Sequence, residues 1–283
     1  MGHGKLRKFA ENETFRCLLQ PEAASVLAKP EGSRELVLRD HAIKGHWNRD
    51  MFAKEQPIVV ELGCGKGDYT IALARRHPEM NFIGVDIKGA RLWKGAKEAT
   101  TEAMGNVAFL RTRIEFIEAF FGPGEISEIW LTFSDPQLRG SENARLTSPL
   151  FLARYSHFLQ PGGIVHLKTD SRFLYEYTQS VIRANNLEVL ASGTDIYNTP
   201  IVISSAAEGG VEKSLRDLDA VFEVQTFYET MFLKMGLPIT YLAFRLDRPS
   251  DGPFAYPTDF DAAYWREAEG PRRSFSHQPS KME

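Results

Sequence analysis

Cysteine, long apolar runs and excess positive charge are all scarce in this chain of 283 residues. Its two cysteines, Cys17 and Cys64, lack C-x-x-C partners, which argues against a disulfide framework and against a zinc site. No apolar run approaches the ~20 residues of a membrane-spanning helix. The start of the chain, Met1 to Ala10, is polar and basic and lacks the apolar segment of a signal peptide. We therefore expect a cytoplasmic protein with no metal and no membrane partner.

The charge balance bears on possible partners. The formal net charge is -3 at pH 7, whereas proteins that bind nucleic acids are usually basic. This balance disfavours a polyanionic partner overall, but it leaves room for a local basic surface. Hydrophobic residues make up 43% of the chain, which is enough for the core of one large domain or two small ones.

A glycine-rich turn is the most informative motif. The apolar run from Ile58 to Leu62 is typical of a buried strand, and it is followed by Gly63, Gly65 and Gly67 and then by a helical pattern, Tyr69 to Arg76. Glycines at such a turn permit positive φ and let a ligand approach the backbone closely. The G-x-G-x-G spacing differs from the G-x-G-x-x-G of dinucleotide-binding folds. A tight turn without a ligand is the simpler alternative.

Two acids accompany this turn. The next predicted strand, Asn81 to Asp86, ends in a carboxylate, which at that position suits the hydroxyls of a ribose. Glu61 stands just before the glycines, where it could take the ammonium group of an amino-acid ligand. A ligand with both a ribose and an amino-acid part is S-adenosylmethionine (SAM). The turn and its two acids together predict a SAM site.

Strands and helices alternate regularly after Pro57, which predicts an α/β fold with a doubly wound, mostly parallel sheet and helices on both faces. The predicted strands cover residues 58–62, 81–86, 106–111, 128–133, 163–168, 187–194 and 239–246. The predicted helices cover residues 69–76, 90–104, 114–120, 149–158, 171–185 and 227–235. Residues 200–218 lack a clear period, so we expect a surface loop there.

Acids also stand at other predicted strand ends. Ligands of open parallel sheets bind at the carboxyl ends of the strands, and Asp86, Asp135 and Asp170 each follow a predicted strand. One such acid is easily a helix cap or a turn former, but several at one edge indicate a binding pocket. Thr226 and Glu229 stand at the start of a predicted helix, where Glu229 could simply interact with the helix dipole.

Several of these segments, taken in order, resemble the tRNA (guanine-N7-)-methyltransferases, in particular a bacterial branch of that family. The resemblance spans roughly residues 4 to 246, and its segments are Lys5 to Phe15, Lys44 to Asn48, Glu61 to Gly67, Asn81 to Lys88, Leu167 to Asp170 and Thr226 to Glu229. The glycine turn is generic to SAM-dependent methyltransferases, whereas the Lys-Thr-Asp and Thr-x-x-Glu segments are more specific. The resemblance implies a Rossmann-like, seven-stranded methyltransferase sheet and SAM as the cofactor.

The resemblance also implies residue roles and a reaction, the transfer of a methyl group from SAM to N7 of a guanine in the variable loop of tRNA. On the SAM side it places Glu61, Gly63, Gly65, Gly67, Asp86, Asp135 and also Arg113, which occupies a position where many members carry an acid. On the substrate side it places Arg139, at a lysine position of the family, with Asp170, Thr226 and Glu229. Asp135 and Asp170 are the candidate catalytic residues.

One segment departs from the family pattern. Members usually read Phe-Pro-Asp-Pro-Trp followed by several basic residues, but here Ser134 and Gln137 replace the first proline and the tryptophan, and Gly140 and Glu142 stand at basic positions. Lost phosphate contacts weaken nucleic-acid binding steeply with salt. We therefore expect weak or salt-sensitive tRNA binding, with the remaining contacts from Lys5, Arg7, Lys8, Arg139 and Arg145.

Three regions follow from these patterns. Residues 1–56 form an N-terminal extension with two basic clusters that either contact RNA or are solvated surface. Residues 57–247 form the methyltransferase domain, and residues 248–283, rich in Pro, Gly, Asp and Ser, are predicted to be a flexible tail whose aromatic residues could dock. Two alternatives stay open: a methyltransferase for a small molecule or another RNA, and a non-catalytic relative that binds SAM and RNA. The sequence leaves open whether the protein is a monomer or a homodimer.

Overall fold

The computed structural model describes residues 3–32, 35–204, 215, 218–247 and 252–270. The α-helices in these ranges are α1 His3–Asn12, α2 Trp47–Asp50, α3 Asp68–Arg76, α4 Gly89–Thr101, α5 Pro149–Tyr155, α6 Arg172–Ala184, α7 Leu218–Glu223, α8 Phe227–Lys234 and α9 Ala262–Glu269. The strands are β1 Leu18–Leu19, β2 Leu27–Ala28, β3 Val37–Leu38, β4 Ile58–Leu62, β5 Asn81–Asp86, β6 Val107–Arg111, β7 Ile126–Thr132, β8 Leu159–Thr169, β9 Val189–Gly193, β10 Val202–Ile203 and β11 Thr240–Arg245. Predicted helix 114–120 is a 3-10 helix, Ile114–Ala119.

The main sheet confirms the predicted α/β architecture. Its strand order is β1-β6-β5-β4-β7-β8-β11-β9-β10. Strands β1 through β8 in this order are parallel, whereas β11, β9 and β10 pair antiparallel. All seven predicted strands are present, and two short edge strands, β1 and β10, extend the sheet. The chain reverses its direction of travel across the sheet between β4 and β7, so a crevice forms there at the carboxyl ends of the strands.

The central strands are buried on both faces. Every residue of β4 and β5 is buried, as expected for continuous apolar runs covered by helices. Neighbouring residues face opposite layers, because side chains alternate along a strand. Val60 and Ile83 belong to one hydrophobic cluster, whereas Val59 and Phe82 belong to the other. The sheet therefore lies between two hydrophobic cores.

The described part of the N-terminal extension packs into the same core as the main sheet. Trp47 is fully buried and donates its Nε1–H to the Phe120 carbonyl at 2.8 Å. The carboxylate of Glu125 accepts from the backbone N–H groups of Gly45 and Trp47 at 2.8 and 3.1 Å. Helix α1 packs on α4, where Asn12 donates to the Gly89 carbonyl at 2.9 Å. The extension is thus built into the fold.

The predicted flexible tail needs correction. Residues 252–270, which we call the C-terminal arm, pack on the domain, with Phe254 buried and Phe260 set edge-on against Phe173 and Tyr177. Disorder was predicted from the many Pro, Gly and polar residues of this segment. Aromatic residues between them nevertheless pack against α6. Residues 271–283 lie outside the described residues, as does most of predicted loop 200–218.

Candidate active site

The glycine turn after β4 has the predicted geometry. Gly63, Gly65 and Gly67 have φ values of 82°, 57° and 76°, in the region that disfavours residues with a side chain. A Cβ on Gly67 would lie 2.6 Å from the ring of Phe109, so that glycine serves packing. A Cβ on Gly63 or Gly65 would meet no atom within 4 Å. These two glycines therefore leave open space beside the backbone.

Asp86 fixes this turn from the neighbouring strand. Its Oδ2 accepts from the Gly65 N–H at 3.0 Å, and its Oδ1 accepts from the Lys88 N–H at 2.7 Å. The residue is only 8% exposed. The carboxylate predicted for a ribose thus also holds the two backbone segments that border the site, and its contact with a ribose stays a prediction.

Glu61 lies behind the turn. Its Oε2 accepts from the N–H and the hydroxyl of Thr70 at 2.9 and 2.5 Å, and its Oε1 accepts from the Thr132 hydroxyl at 2.5 Å. These bonds join β4, the first turn of α3 and the end of β7. Burial raises the pKa of the Glu61 carboxyl, although the hydrogen bonds oppose this shift. Contact between Glu61 and an ammonium group stays a prediction, because both oxygens already have protein partners.

A cleft of about 1040 Å³ opens beside the turn, at the carboxyl ends of the central strands. Four predicted site residues line it together: Gly63, Asp135, Arg139 and Asp170. Asp135 is exposed and its Oδ1 accepts from the Gln137 N–H at 2.9 Å. Asp170 is half-buried and follows β8 directly, just before the Ser171 cap of α6. The sequence thus predicted two of the three acids that line the cleft, Asp135 and Asp170.

The Thr-x-x-Glu segment is placed differently. Thr226 and Glu229 form a capping box at the start of α8, and neither lines the cleft. Glu229 is fully buried, with its Oε1 2.7 Å from the Lys168 Nζ and accepting from the Tyr197 hydroxyl at 2.8 Å. Burial lowers the pKa of the Lys168 ammonium, while the Glu229 carboxylate opposes that shift. This conformation fits the simpler alternative, in which Glu229 interacts only with the start of its own helix. Contact between Glu229 and guanine stays a prediction.

Two predicted arginines also lie outside the cleft. Arg113 is exposed and pairs with Glu115 at 3.0 Å. Arg145, predicted as a tRNA contact, is only 4% exposed. Its guanidinium stacks over Phe173 and Tyr177, 4.8 and 4.4 Å from the ring centroids. This prediction is wrong for the described conformation, because the sequence does not reveal that two aromatic rings from α6 enclose the side chain.

Sequence reasoning missed other residues of the cleft. Phe133, Tyr228 and Phe232 supply aromatic surface, and the C-terminal arm supplies Arg266 and Glu267. The charged side chains that line the cleft are the basic Lys88, Arg91, Arg139 and Arg266 and the acidic Asp135, Asp170 and Glu267. Asp261 could have indicated a helix in the arm, because it caps α9 by accepting from two backbone N–H groups. The cleft thus combines acids, aromatic rings and cations.

The described residues include neither a membrane-spanning helix nor a metal-binding cluster. None of their helices has the length and apolar character to cross a bilayer. They also contain no cluster of three or more His, Cys, Asp or Glu side chains that could hold a metal ion.

The chain is similar to several known methyltransferases. A family profile described as "Putative methyltransferase" matches residues 55–220. The chain is 44% identical to a tRNA (guanine-N(7)-)-methyltransferase of Bacteroides thetaiotaomicron over 257 residues, which covers 91% of this chain and 90% of that protein. It is also 44% identical to a protein of the same name from Christiangramia forsetii, over 86% of this chain and 97% of that protein. A solved 30S ribosomal A1408 methyltransferase from an uncultured bacterium aligns at 17% identity and a TM-score of 0.46, over 70% of this chain and 89% of that one.

Proposed function

The chain belongs to the family of tRNA (guanine-N(7)-)-methyltransferases, and we propose that it methylates N7 of a guanine in the variable loop of tRNA, using SAM. The observation that carries this proposal is the convergence of Gly63, Asp135, Arg139 and Asp170 on one cleft. These residues come from three strand ends, and the resemblance assigns them to both the cofactor and the substrate. A shared cleft is what methyl transfer between the two requires.

The glycine turn fits SAM as the cofactor. SAM supplies an electrophilic methyl group bound to its sulfonium. The open space at Gly63 and Gly65 lets the amino-acid part of the cofactor approach the backbone. Asp86 holds the Gly65 N–H in place and is the candidate partner of the ribose hydroxyls. Glu61 fixes the start of α3 through Thr70, and so supports the turn whether or not it contacts the ligand.

Guanine needs little acid–base help for this reaction. N7 has an in-plane lone pair and no proton, so it can attack the methyl group directly. Catalysis then rests on placing N7 in line with the methyl group. Asp170 is the candidate acceptor for the guanine N1–H and exocyclic amine, and its charge stabilises the cation that forms on the base. The resemblance places Asp135 beside SAM, and Phe133 and Tyr228 line the same cleft, where they would offer surfaces for a base that has left its stack.

Basic side chains in the cleft and in the N-terminal extension suit the tRNA backbone. Arg139 and Lys88 line the cleft. In the N-terminal extension, the ammonium of Lys8 lies 4.5 Å from the ring of Trp93, and that of Lys5 lies 5.8 Å from the ring of Phe9. We assign the extension to tRNA contact on this basis. A tRNA substrate suggests the cytoplasm as the location.

The decisive experiment is mass spectrometry of nucleosides from unmodified tRNA incubated with the protein and SAM. We expect 7-methylguanosine, mapped to the variable loop by sequencing of the labelled tRNA. Calorimetric titration with SAM and then with tRNA separates the alternatives. A non-catalytic relative would bind both without product, whereas a small-molecule enzyme, which the depleted basic loop favours, would bind SAM but not tRNA. Either outcome overturns the proposal.

A further inference from the structure

We infer that the C-terminal arm completes the tRNA site and that Arg266 binds a phosphate of the tRNA backbone, an inference that rests on the proposed function. None of the motifs that carry the resemblance lies in residues 252–270. The arm is nonetheless part of the cleft wall, through Arg266, Glu267 and Gly270.

The arm is anchored at a distance from the cleft. The ring of Phe260 lies 5.1 Å from that of Phe173 and 5.3 Å from that of Tyr177, both in edge-on geometry. Asp259 pairs with Arg183 at 2.8 Å on the exposed end of α6. Aromatic pairs of this kind bury apolar surface and add a directional preference. The aromatic contacts fix where α9 begins, and the exposed ion pair adds little to them.

The far end of α9 is tied to the turn that carries Asp170. Glu269 accepts from the Ser171 hydroxyl at 2.5 Å through Oε1 and from the Phe173 N–H at 2.9 Å through Oε2. Both donors belong to the start of α6, where a carboxylate also interacts favourably with the helix dipole. Glu269 therefore positions α9 directly over the segment that holds the candidate guanine acceptor.

Arg266 lies between these two anchors and faces the cleft. Its Nε donates to the Leu138 carbonyl at 2.7 Å, and the residue is exposed. The bond at Nε uses one of the five donors of the guanidinium, and no described residue bonds to the other four, so they remain for a ligand. Arginine suits phosphate because its planar fork matches two phosphate oxygens.

The loop that Arg266 contacts is the one depleted of basic residues. Leu138 belongs to the segment in which Gly140 and Glu142 replace the family's usual cations. A second contact joins the arm to this loop, since the Tyr256 hydroxyl donates to the Asn143 Oδ1 at 2.6 Å. The arm thus brings a cation to the place where the loop lacks one, with Arg139 as its neighbour in the cleft lining.

The test compares Arg266→Ala with Arg183→Ala, which removes another exposed arginine that touches the arm but does not line the cleft. Affinity for unmodified tRNA is measured across salt concentration, and SAM affinity by calorimetry. We expect Arg266→Ala to bind tRNA roughly tenfold more weakly at low salt, with a log–log salt slope smaller by about one. Its KM for tRNA rises while kcat and SAM affinity stay near wild type, and Arg183→Ala resembles wild type throughout.

Several results would overturn the inference while leaving the proposed function intact. Unchanged tRNA affinity in Arg266→Ala removes the phosphate contact. Weaker affinity with an unchanged salt slope makes Arg266 a structural tie for the loop. An equal loss in Arg183→Ala makes anchoring of the arm the cause, and a loss of SAM affinity makes the arm a support of the fold. Absence of 7-methylguanosine with the wild-type protein would instead refute the proposed function.

Discussion

The candidate site has two halves. The cofactor half is the glycine turn with Glu61 and Asp86, and the substrate half is Asp170 and Arg139 with the depleted loop and the C-terminal arm. The two halves differ in how far apart their contacting residues lie along the chain. In the cofactor half, the bond between Gly65 and Asp86 spans 21 residues. In the substrate half, Arg266 and Leu138 are 128 residues apart, and Ser171 and Glu269 are 98 apart. A site built from one β-turn-α-β unit changes only when that unit changes. A site built from distant segments can gain or lose parts, such as a basic loop or an arm, without disturbing the cofactor.

The two halves also rely on different forces. The cofactor half depends on backbone conformation and on buried carboxylates that accept from backbone N–H groups, as Glu61 and Asp86 do. The substrate half presents exposed charges, such as Arg139 and Arg266, whose interactions are screened by salt. We therefore expect damage to the first half to abolish activity, and damage to the second half to weaken it in a salt-dependent way.

The largest effect is expected from Gly65→Val. The φ of 57° at this glycine strains a β-branched residue, and the new side chain would fill the open space proposed for SAM. We expect SAM affinity to fall by roughly a thousandfold or more, the equivalent of about 4 kcal/mol. Calorimetry with SAM measures this.

Gly124→Val is the matched control for this substitution. Gly124 has a φ of 67° and equally open surroundings, but it lies just before β7, at the amino edge of the sheet and away from the glycine turn. It should lose some stability to backbone strain and keep its SAM affinity. Equal SAM affinity in the two variants would mean that SAM does not bind at the glycine turn, and the turn would then not belong to a cofactor half.

Asp170→Asn tests the substrate half at the half-buried acid that lines the cleft. Loss of the charge leaves guanine donors without a carboxylate acceptor, a cost on the order of 1–3 kcal/mol, and it weakens stabilisation of the product cation. We expect turnover of tRNA to fall by roughly a hundredfold, as ~3 kcal/mol implies, with SAM affinity unchanged. A variant that loses SAM binding would move Asp170 to the cofactor half, and one with normal turnover would move the guanine pocket elsewhere.

Glu229→Gln separates the capping role of this residue from the guanine contact that the resemblance implies. The substitution leaves the buried Lys168 ammonium without its carboxylate partner. Breaking one side of a buried ion pair typically costs about 3–5 kcal/mol, so urea unfolding should show a loss of that size. The double variant Lys168→Met with Glu229→Leu should recover most of it. Normal stability with lost turnover would instead favour the guanine contact.

The sequence predicted the central strands and the glycine turn because each depends on neighbours within a few residues. Its errors involve distant partners. The sequence predicted Arg145 as an RNA contact, but in the structure the rings of Phe173 and Tyr177 enclose its side chain. Composition marked the arm as a tail, although Phe260 packs against α6. A pattern read along the chain cannot show which surface receives such a side chain.

Gly140→Lys restores one cation to the depleted loop. Its Cβ would approach the Gln137 Oε1 at 2.6 Å, which is the far end of a flexible side chain that can move. We expect tRNA affinity at low salt to rise by about three- to tenfold and the salt slope to grow by about one. Gln160→Lys adds the same charge at the amino end of β8, opposite the cleft, and should change neither quantity. No gain from Gly140→Lys would mean that this loop does not touch the tRNA.

The smallest effect, a pH dependence, comes from Glu61, the acid whose contact with SAM stays a prediction. Burial raises the pKa of its carboxyl, so its contribution to stability is present below the ordinary carboxyl range and is lost as pH rises through the folded pKa. The stability of wild type relative to Glu61→Gln should therefore fall with rising pH, by at most about 1.4 kcal/mol per pH unit. A SAM ammonium in contact with the carboxylate would favour its ionised form. SAM affinity of wild type would then rise over the same pH window, and Glu61→Gln would abolish that rise. If calorimetry shows parallel pH profiles for the two proteins, Glu61 supports the turn through Thr70 and does not touch the cofactor.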